Sequence, residues 1–324
     1  MPRKPRLSVP GALHHVMARG IEGRQIFHDD EDRRLFLSLL SDGISKTGFK
    51  CYAWVLMGNH YHLLLRVNEH HLASMLRPVN SKYARWFRKR DGSRGYLFQD
   101  RFKSIVTQDQ GYIEELVRYI HLNPMRANIC YTLDDLDHYP WSGHAALVGT
   151  MKFAFQDIKP ILKRFGDNPE TAKKEYRSFI KKGIDGTTGS EFMDSIRKCN
   201  HDVTDRHDHR SWVIGDPEFV KAALAHDRAK KVSVAAHCKD GWTVQKVASD
   251  VASQLKIDEK EIFKRGRGNG RSNFRKVVAA LSHRDFGIPV IEIARYFGIG
   301  SSSVSRMLEA GEEYARKQKV LIKH

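Results

Sequence analysis

His60-Tyr61-His62 opens a run, HYHLLLRV (60–67), whose apolar and β-branched content suits a strand. Side chains two apart on a strand share a face, so the two imidazoles would stand side by side while Tyr61 points away. Such a pair can hold one divalent cation. Ordinary packing produces the same spacing in a chain with 17 histidines, so the pair alone leaves both readings open. Tyr119 lies near the end of a helical pattern, GYIEELVRYIHLNP (111–124), with Asn123 four residues on and hence on the same helix face. A phenol beside a metal can attack phosphorus and form a covalent phosphotyrosine. An amide oxygen one turn later could complete the shell of a hard cation. The bland reading is a core aromatic followed by a helix stop at Asn123-Pro124.

Two basic blocks could bring such a site to a polyanion. From 82 to 103, Lys82, Tyr83, Arg85, Trp86, Arg88, Lys89, Arg90, Arg94, Phe98, Arg101, Phe102 and Lys103 interleave cations and rings, with only Asp91 and Asp100 as acids. Cations bind phosphates and rings stack on unpaired bases. A solvated helix face followed by a basic loop would carry the same residues. Between Lys264 and Lys276 stand six basic residues, Lys264, Arg265, Arg267 and Arg271 among them, and no acid. After it, 291–306 reads helix, turn, helix. Ile293, Ala294, Phe297, Ile299, Val304 and Met307 suit its core, Gly298 its turn, and Ser301, Ser302 and Ser303 the N-cap and first turn of a second helix that carries Arg306. A helical protein-interaction module is the other reading.

The elements that must position these residues follow from periodicity. Strands are expected at 12–19, 49–57, 60–67 and 101–108, with 49–67 forming a hairpin around Gly58-Asn59. Helices are expected at 30–48, at 71–92 (with Pro78 as a kink or split) and at 111–124. The order is strand, helix, hairpin, helix, strand, helix, which suits an α+β sandwich: an antiparallel sheet with helices on one face. Residues 151–255 read as a connecting region, helical in pieces, with loop at 186–189 and in the His-rich 201–210. Residues 256–324 are mainly helical.

The whole chain has 324 residues, 41% of them hydrophobic, enough for two domains with real cores. There are 55 Lys plus Arg against 38 Asp plus Glu, a net charge of +17, which favours a nucleic-acid partner. Cys51, Cys130, Cys199 and Cys238 are too scattered for a zinc ribbon or a disulfide framework. No run is long enough to span a membrane, and no apolar stretch follows the basic N-terminus. The expected location is the cytoplasm, at the nucleoid. The sequence leaves monomer and homodimer equally open.

Taken in order, PGALHHVMARG, IFHDDEDRRLFLSLL, WVLMGNHYHLLLRV, GYLFQDRFKSI, RYIHLNPMRANI and YPWSGHAALVG, between residues 10 and 149, resemble the REP-associated tyrosine transposases, a branch of the single-tyrosine HUH transposases. The resemblance implies a ferredoxin-like transposase domain over 1–150. It implies that His60, His62 and Asn123 bind Mg²⁺ or Mn²⁺, that Tyr119 is the nucleophile, and that Asn59 shapes the turn or orients a ligand. Tyr61, Tyr83 and Tyr112 are rival tyrosines, Tyr61 disfavoured by its strand face. The implied substrate is single-stranded DNA beside a hairpin. RGRGNGRSNFRKVVAAL and IPVIEIARYFGIGSSSVSRML resemble the DNA-binding domain of the chromosomal replication initiator, implying a reader of duplex DNA over 256–324. WVIGDPEF (212–219) has no assigned role. A non-catalytic DNA-binding regulator is the alternative, disfavoured because both histidines, the tyrosine and the asparagine occur together.

Overall fold

The computed structural model describes residues 7, 9–68, 71–184, 213–225, 241–258 and 269–320. The chain divides into two compact units, 1–227 and 228–324.

The first unit is built on a five-stranded sheet: β1 (Leu13–Arg19), β2 (Lys50–Leu56), β3 (His60–Arg66), β4 (Lys103–Thr107) and a short β5 (Val213–Ile214), in the order β2-β3-β1-β4-β5. The first four strands pair antiparallel, in the order of a ferredoxin-like βαββαβ unit. β5 joins the edge in parallel to β4, so WVIGDPEF supplies a sheet strand, and Gln108 ties it down through Asp216.

Two helices connect the strands. α1 (Asp30–Thr47) starts where the Asp29 carboxylate accepts from the Glu31 and Asp32 amides, and ends at Gly48 with φ of 71°. α2 (Leu72–Asp91) runs through Pro78 as one helix. Both pack on one sheet face over Val16, Trp54, Tyr61, Leu63 and Leu65. A register shift in β2 between Cys51 and Ala53 places Tyr52 and Ala53 together on the opposite face.

That opposite face was expected to lack helices, and it has them. α3 (Ile113–His121) lays Leu116, Val117 and Ile120 on the sheet. It is followed by α4 (Asn123–Arg126), α5 (Leu133–Asp137), α6 (His144–Val148), α7 (Lys159–Leu162) and α8 (Pro169–Ile184). Ile161, Tyr176 and Ile180 belong to the same apolar cluster as α3. The sequence showed too little period between 125 and 168 to reveal this second layer, because its helices are only four or five residues long.

The second unit contains α9 (Val244–Leu255), α10 (Asn269–Arg284), α11 (Val290–Phe297) and α12 (Ser301–Lys317) around Val247, Phe274, Val278 and Phe286. Ile293, Ala294 and Val304 are buried in this core, with Phe297, Ile299 and Met307 packed against it. Gly298 turns between α11 and α12 with φ of 62°.

Candidate active site

The strand alternation places His60 and His62 together on the α3 face, with ring centroids 5.1 Å apart and nearly perpendicular. Tyr61 goes to the other face, fully buried against Phe36, its hydroxyl donating to Asn80 Oδ1 at 2.9 Å. That removes it as a rival nucleophile. Tyr83 is also committed to the α1–α2 core, where its hydroxyl donates to the Ile26 carbonyl.

Both candidate ligand rings are held at Nδ1. His60 Nδ1–H donates to Asn59 Oδ1 at 2.6 Å, and the Asn59 amide donates to the Gly23 carbonyl at 3.2 Å. His62 Nδ1 shares a 2.9 Å hydrogen bond with His15 Nε2, the two rings stacked with centroids 5.1 Å apart. Burial, together with the Arg19 charge, brings the His60 pKa down to about 4. Burial, then the neighbouring His15, His60 and Arg126, holds His62 well below the usual range. Both imidazoles are therefore neutral near pH 7, as ligation requires.

Tyr119 projects from α3 onto the same face. Its ring lies 5.9 Å from that of His62 and 5.7 Å from that of His15, edge-on to both. The Arg126 guanidinium lies over the tyrosine ring at 5.1 Å, and Arg126 Nη1 donates to the Tyr119 carbonyl at 3.1 Å. Asn123 begins α4, where its amide nitrogen donates to the carbonyls of Tyr119 (2.8 Å) and Ile120 (3.2 Å). Its amide oxygen makes no hydrogen bond among the described residues. Two neutral imidazoles with free Nε2 atoms and one amide oxygen are a donor set that fits Mg²⁺ or Mn²⁺. No group of three His, Cys, Asp or Glu side chains suited to a metal occurs among the described residues. Any site here therefore needs the amide and water oxygens.

Residues 8–123 match the family model for IS200-like transposases. This part of the chain is similar to an IS200-like transposase domain. No curated protein matches the chain. Among solved structures, the chain is similar to a REP-associated tyrosine transposase bound to a REP hairpin, with 16% identity and a TM-score of 0.38 over 48% of this chain and 98% of that one. It is also similar to a protein of Deinococcus radiodurans R1 named as a transposase, with 17% identity and a TM-score of 0.27 over 42% of this chain and 98% of that one.

Three residues of the first unit complete the site without having been singled out. His15 enters from β1 and Arg126 from α4. Arg19 is cross-strand partner to His60. The expected DNA contacts divide. Lys103 stands in the same cross-strand row as His62, through Met17 between them, so it shares the site's face. Arg101 is exposed just before it. Lys82, Arg85, Arg88 and Lys89 are exposed, but on α2, across the sheet from Tyr119. Of the rings interleaved with them, Tyr83 and Phe102 are buried in the core, because the helical and strand periods that expose the cations turn them inward, whereas Trp86, with Arg90 5.4 Å over its ring, and Phe98 are only half-buried.

In the second unit, Gly300 rather than a serine occupies the cap of α12, and no side chain bonds there. Ser301, Ser302 and Ser303 form the first turn, the first two exposed, and Arg306 Nη2 donates to Ser303 Oγ at 3.2 Å. Lys264, Arg265 and Arg267 lie outside the described residues, as does the side chain of Arg271. Among the described residues, no helix is long and apolar enough to cross a membrane.

Proposed function

We propose that this protein cleaves and rejoins single-stranded DNA, Tyr119 attacking a phosphate and retaining the 5′ end as a phosphotyrosine. The observation that carries the reading is the convergence of Tyr119, His60 and His62 on one face, with Arg126 over the phenol. As the new bond between Tyr119 Oη and phosphorus forms, the bond to the 3′-oxygen breaks. The phenol gives up its proton and the departing 3′-oxygen takes one up. No water is consumed, so the ester stays available for rejoining by another 3′-hydroxyl.

His60, His62 and Asn123 would hold a divalent ion, Mg²⁺ or Mn²⁺, which would supply Lewis-acid polarisation of a non-bridging phosphate oxygen. Arg126 adds a fixed cation over the ring of the attacking phenol. Arg19, Arg101 and Lys103 line the same end of the sheet and would hold the strand's phosphates. Hairpin-forming palindromic repeats are the substrate class implied by the resemblance of the motifs. In the second unit, the exposed first turn of α12 with Arg306 would read duplex DNA, as the helix pair α11–α12 suits.

The test uses labelled hairpin DNA from palindromes flanking the gene, with and without Mn²⁺, followed by denaturing electrophoresis. A metal-dependent covalent band that disappears in Tyr119→Phe, with binding retained, is the expected result. Tight binding without a band from any such substrate would instead indicate a non-catalytic regulator.

A further inference from the structure

A cavity of about 530 Å³ opens beside His60, at the tip of the β2–β3 hairpin. Its walls include Trp141, Tyr139, Arg33, Gln25 and Asn59. That size is within the range of small-molecule sites. The aromatic walls are preformed by main-chain and hydroxyl bonds: the Leu56 amide donates to the Trp141 carbonyl at 2.8 Å, and Tyr139 Oη donates to the Leu56 carbonyl at 3.1 Å. Arg33 lies 5.7 Å from the Trp141 ring centre, and its Nε is buried with no hydrogen-bond partner. A buried donor left unpaired is costly in a finished structure, so it points to a partner that arrives from outside. Gln25 is exposed and makes no hydrogen bond among the described residues. It lies across Gly58, where a Cβ would fall 2.1 Å from Gln25 Oε1, so glycine is what allows the amide to rest over the cavity.

We infer that this cavity takes one unpaired nucleobase of the DNA strand, turned out beside the phosphate presented to Tyr119. The proposal rests on the strand-transfer reading for its choice of ligand. Rings and a guanidinium supply stacking surface, and the Gln25 amide with Arg33 Nε supplies one acceptor and several donors for a base edge. His60 belongs both to this wall and to the proposed metal-ligand set, and Asn59 holds its ring, so an inserted base would fix the register of the strand and thereby which phosphate reaches the tyrosine.

The test is equilibrium binding, by fluorescence anisotropy in EDTA, of a labelled hairpin oligonucleotide and of versions with an abasic residue at each unpaired position in turn. With the wild-type protein, one position should lose about tenfold in affinity when the base is removed, the scale of a stacked base on an aromatic ring. With Trp141→Ala, intact DNA should bind about as weakly, and removal of that same base should cost nothing further. Gln25→Ala, at an exposed side chain the fold does not use, should show the same loss of coupling to a smaller degree and guards against misfolding of the tryptophan variant. Losses that simply multiply at every position, or no loss in either variant, would overturn the proposal. Coupling at one position without any covalent band in the cleavage assay would leave the pocket standing and remove the strand-transfer reading. A covalent band without coupling would do the reverse.

Discussion

His15 Nε2 lies 2.9 Å from His62 Nδ1, both rings buried and stacked. For His62 to offer Nε2 to a cation, its proton must sit on Nδ1 and be donated to His15. His15 is thus a positioning residue that fixes both the tautomer and the ring plane of the proposed ligand, as outer partners of metal-bound histidines do. His15→Ala should weaken Mn²⁺ binding about 10- to 100-fold, read by titration calorimetry without DNA. His15→Gln, which keeps an acceptor in reach, should recover part of the loss. Unchanged Mn²⁺ affinity in both variants would show that His15 only packs.

Arg126 touches Tyr119 twice, through the ring and through the backbone carbonyl. If its charge stabilises the transition state, Arg126→Ala should slow covalent adduct formation about 10²-fold while DNA affinity changes far less. Arg126→Lys should fall between, since the cation remains but the planar contact with the ring is lost. Equal losses in affinity and rate would make Arg126 an ordinary phosphate contact.

These two residues mark where reading the sequence reached and where it stopped. Strands β1 to β4 and helices α1, α2 and α3 were legible because their apolar periods are strong and local, whereas the two-residue β5 was not. The face shared by His60 and His62, and the opposite face of Tyr61, followed from strand alternation alone. His15 was not legible: its partner is 47 residues away, and only the register of Met17 against His62 brings the two strands into line. Arg126 sat in a quoted motif, and its place one turn beyond Asn123 was the available signal. The basic stretch 82–103 misled on Tyr83 and Phe102, because cations and rings alternate there with the period of the local element, which turns these two rings away from the exposed cations.

Tyr176 Oη lies 2.8 Å from both His121 Nδ1 and His144 Nδ1, and His144 Nε2 lies 2.8 Å from Asp137 Oδ1, which joins α8 to the helix that carries Tyr119. Tyr176→Phe leaves two buried imidazole nitrogens without their partner. It should cost about 1–3 kcal/mol of stability by urea titration, with the midpoint falling and the slope unchanged. Tyr176→Leu adds a packing loss and should cost more. A neutral Tyr176→Phe would show that α8 is held by apolar contacts alone.

Burial also sets an acid limit on the metal-free fold. It lowers His14 to about 4 and His15 to about 3, and with the Arg19 charge it lowers His60 to about 4, against the usual 6.5. In the unfolded chain these rings take up protons as pH falls through 6.5, while in the folded chain they stay neutral until about 4. Between those values the unfolded state binds more protons, so stability falls as pH is lowered through that window and is fully present above it. Thermal midpoints without metal should therefore drop steadily from pH 7 to about pH 5, a range in which ordinary carboxylates are still mostly ionised. His14→Gln, on the opposite face of β1 from His15 and bonded to Ser104, removes one of these groups and should make the decline shallower. A flat profile above pH 5, or one that His14→Gln does not change, would mean that these imidazoles are reached by water and titrate as ordinary histidines do.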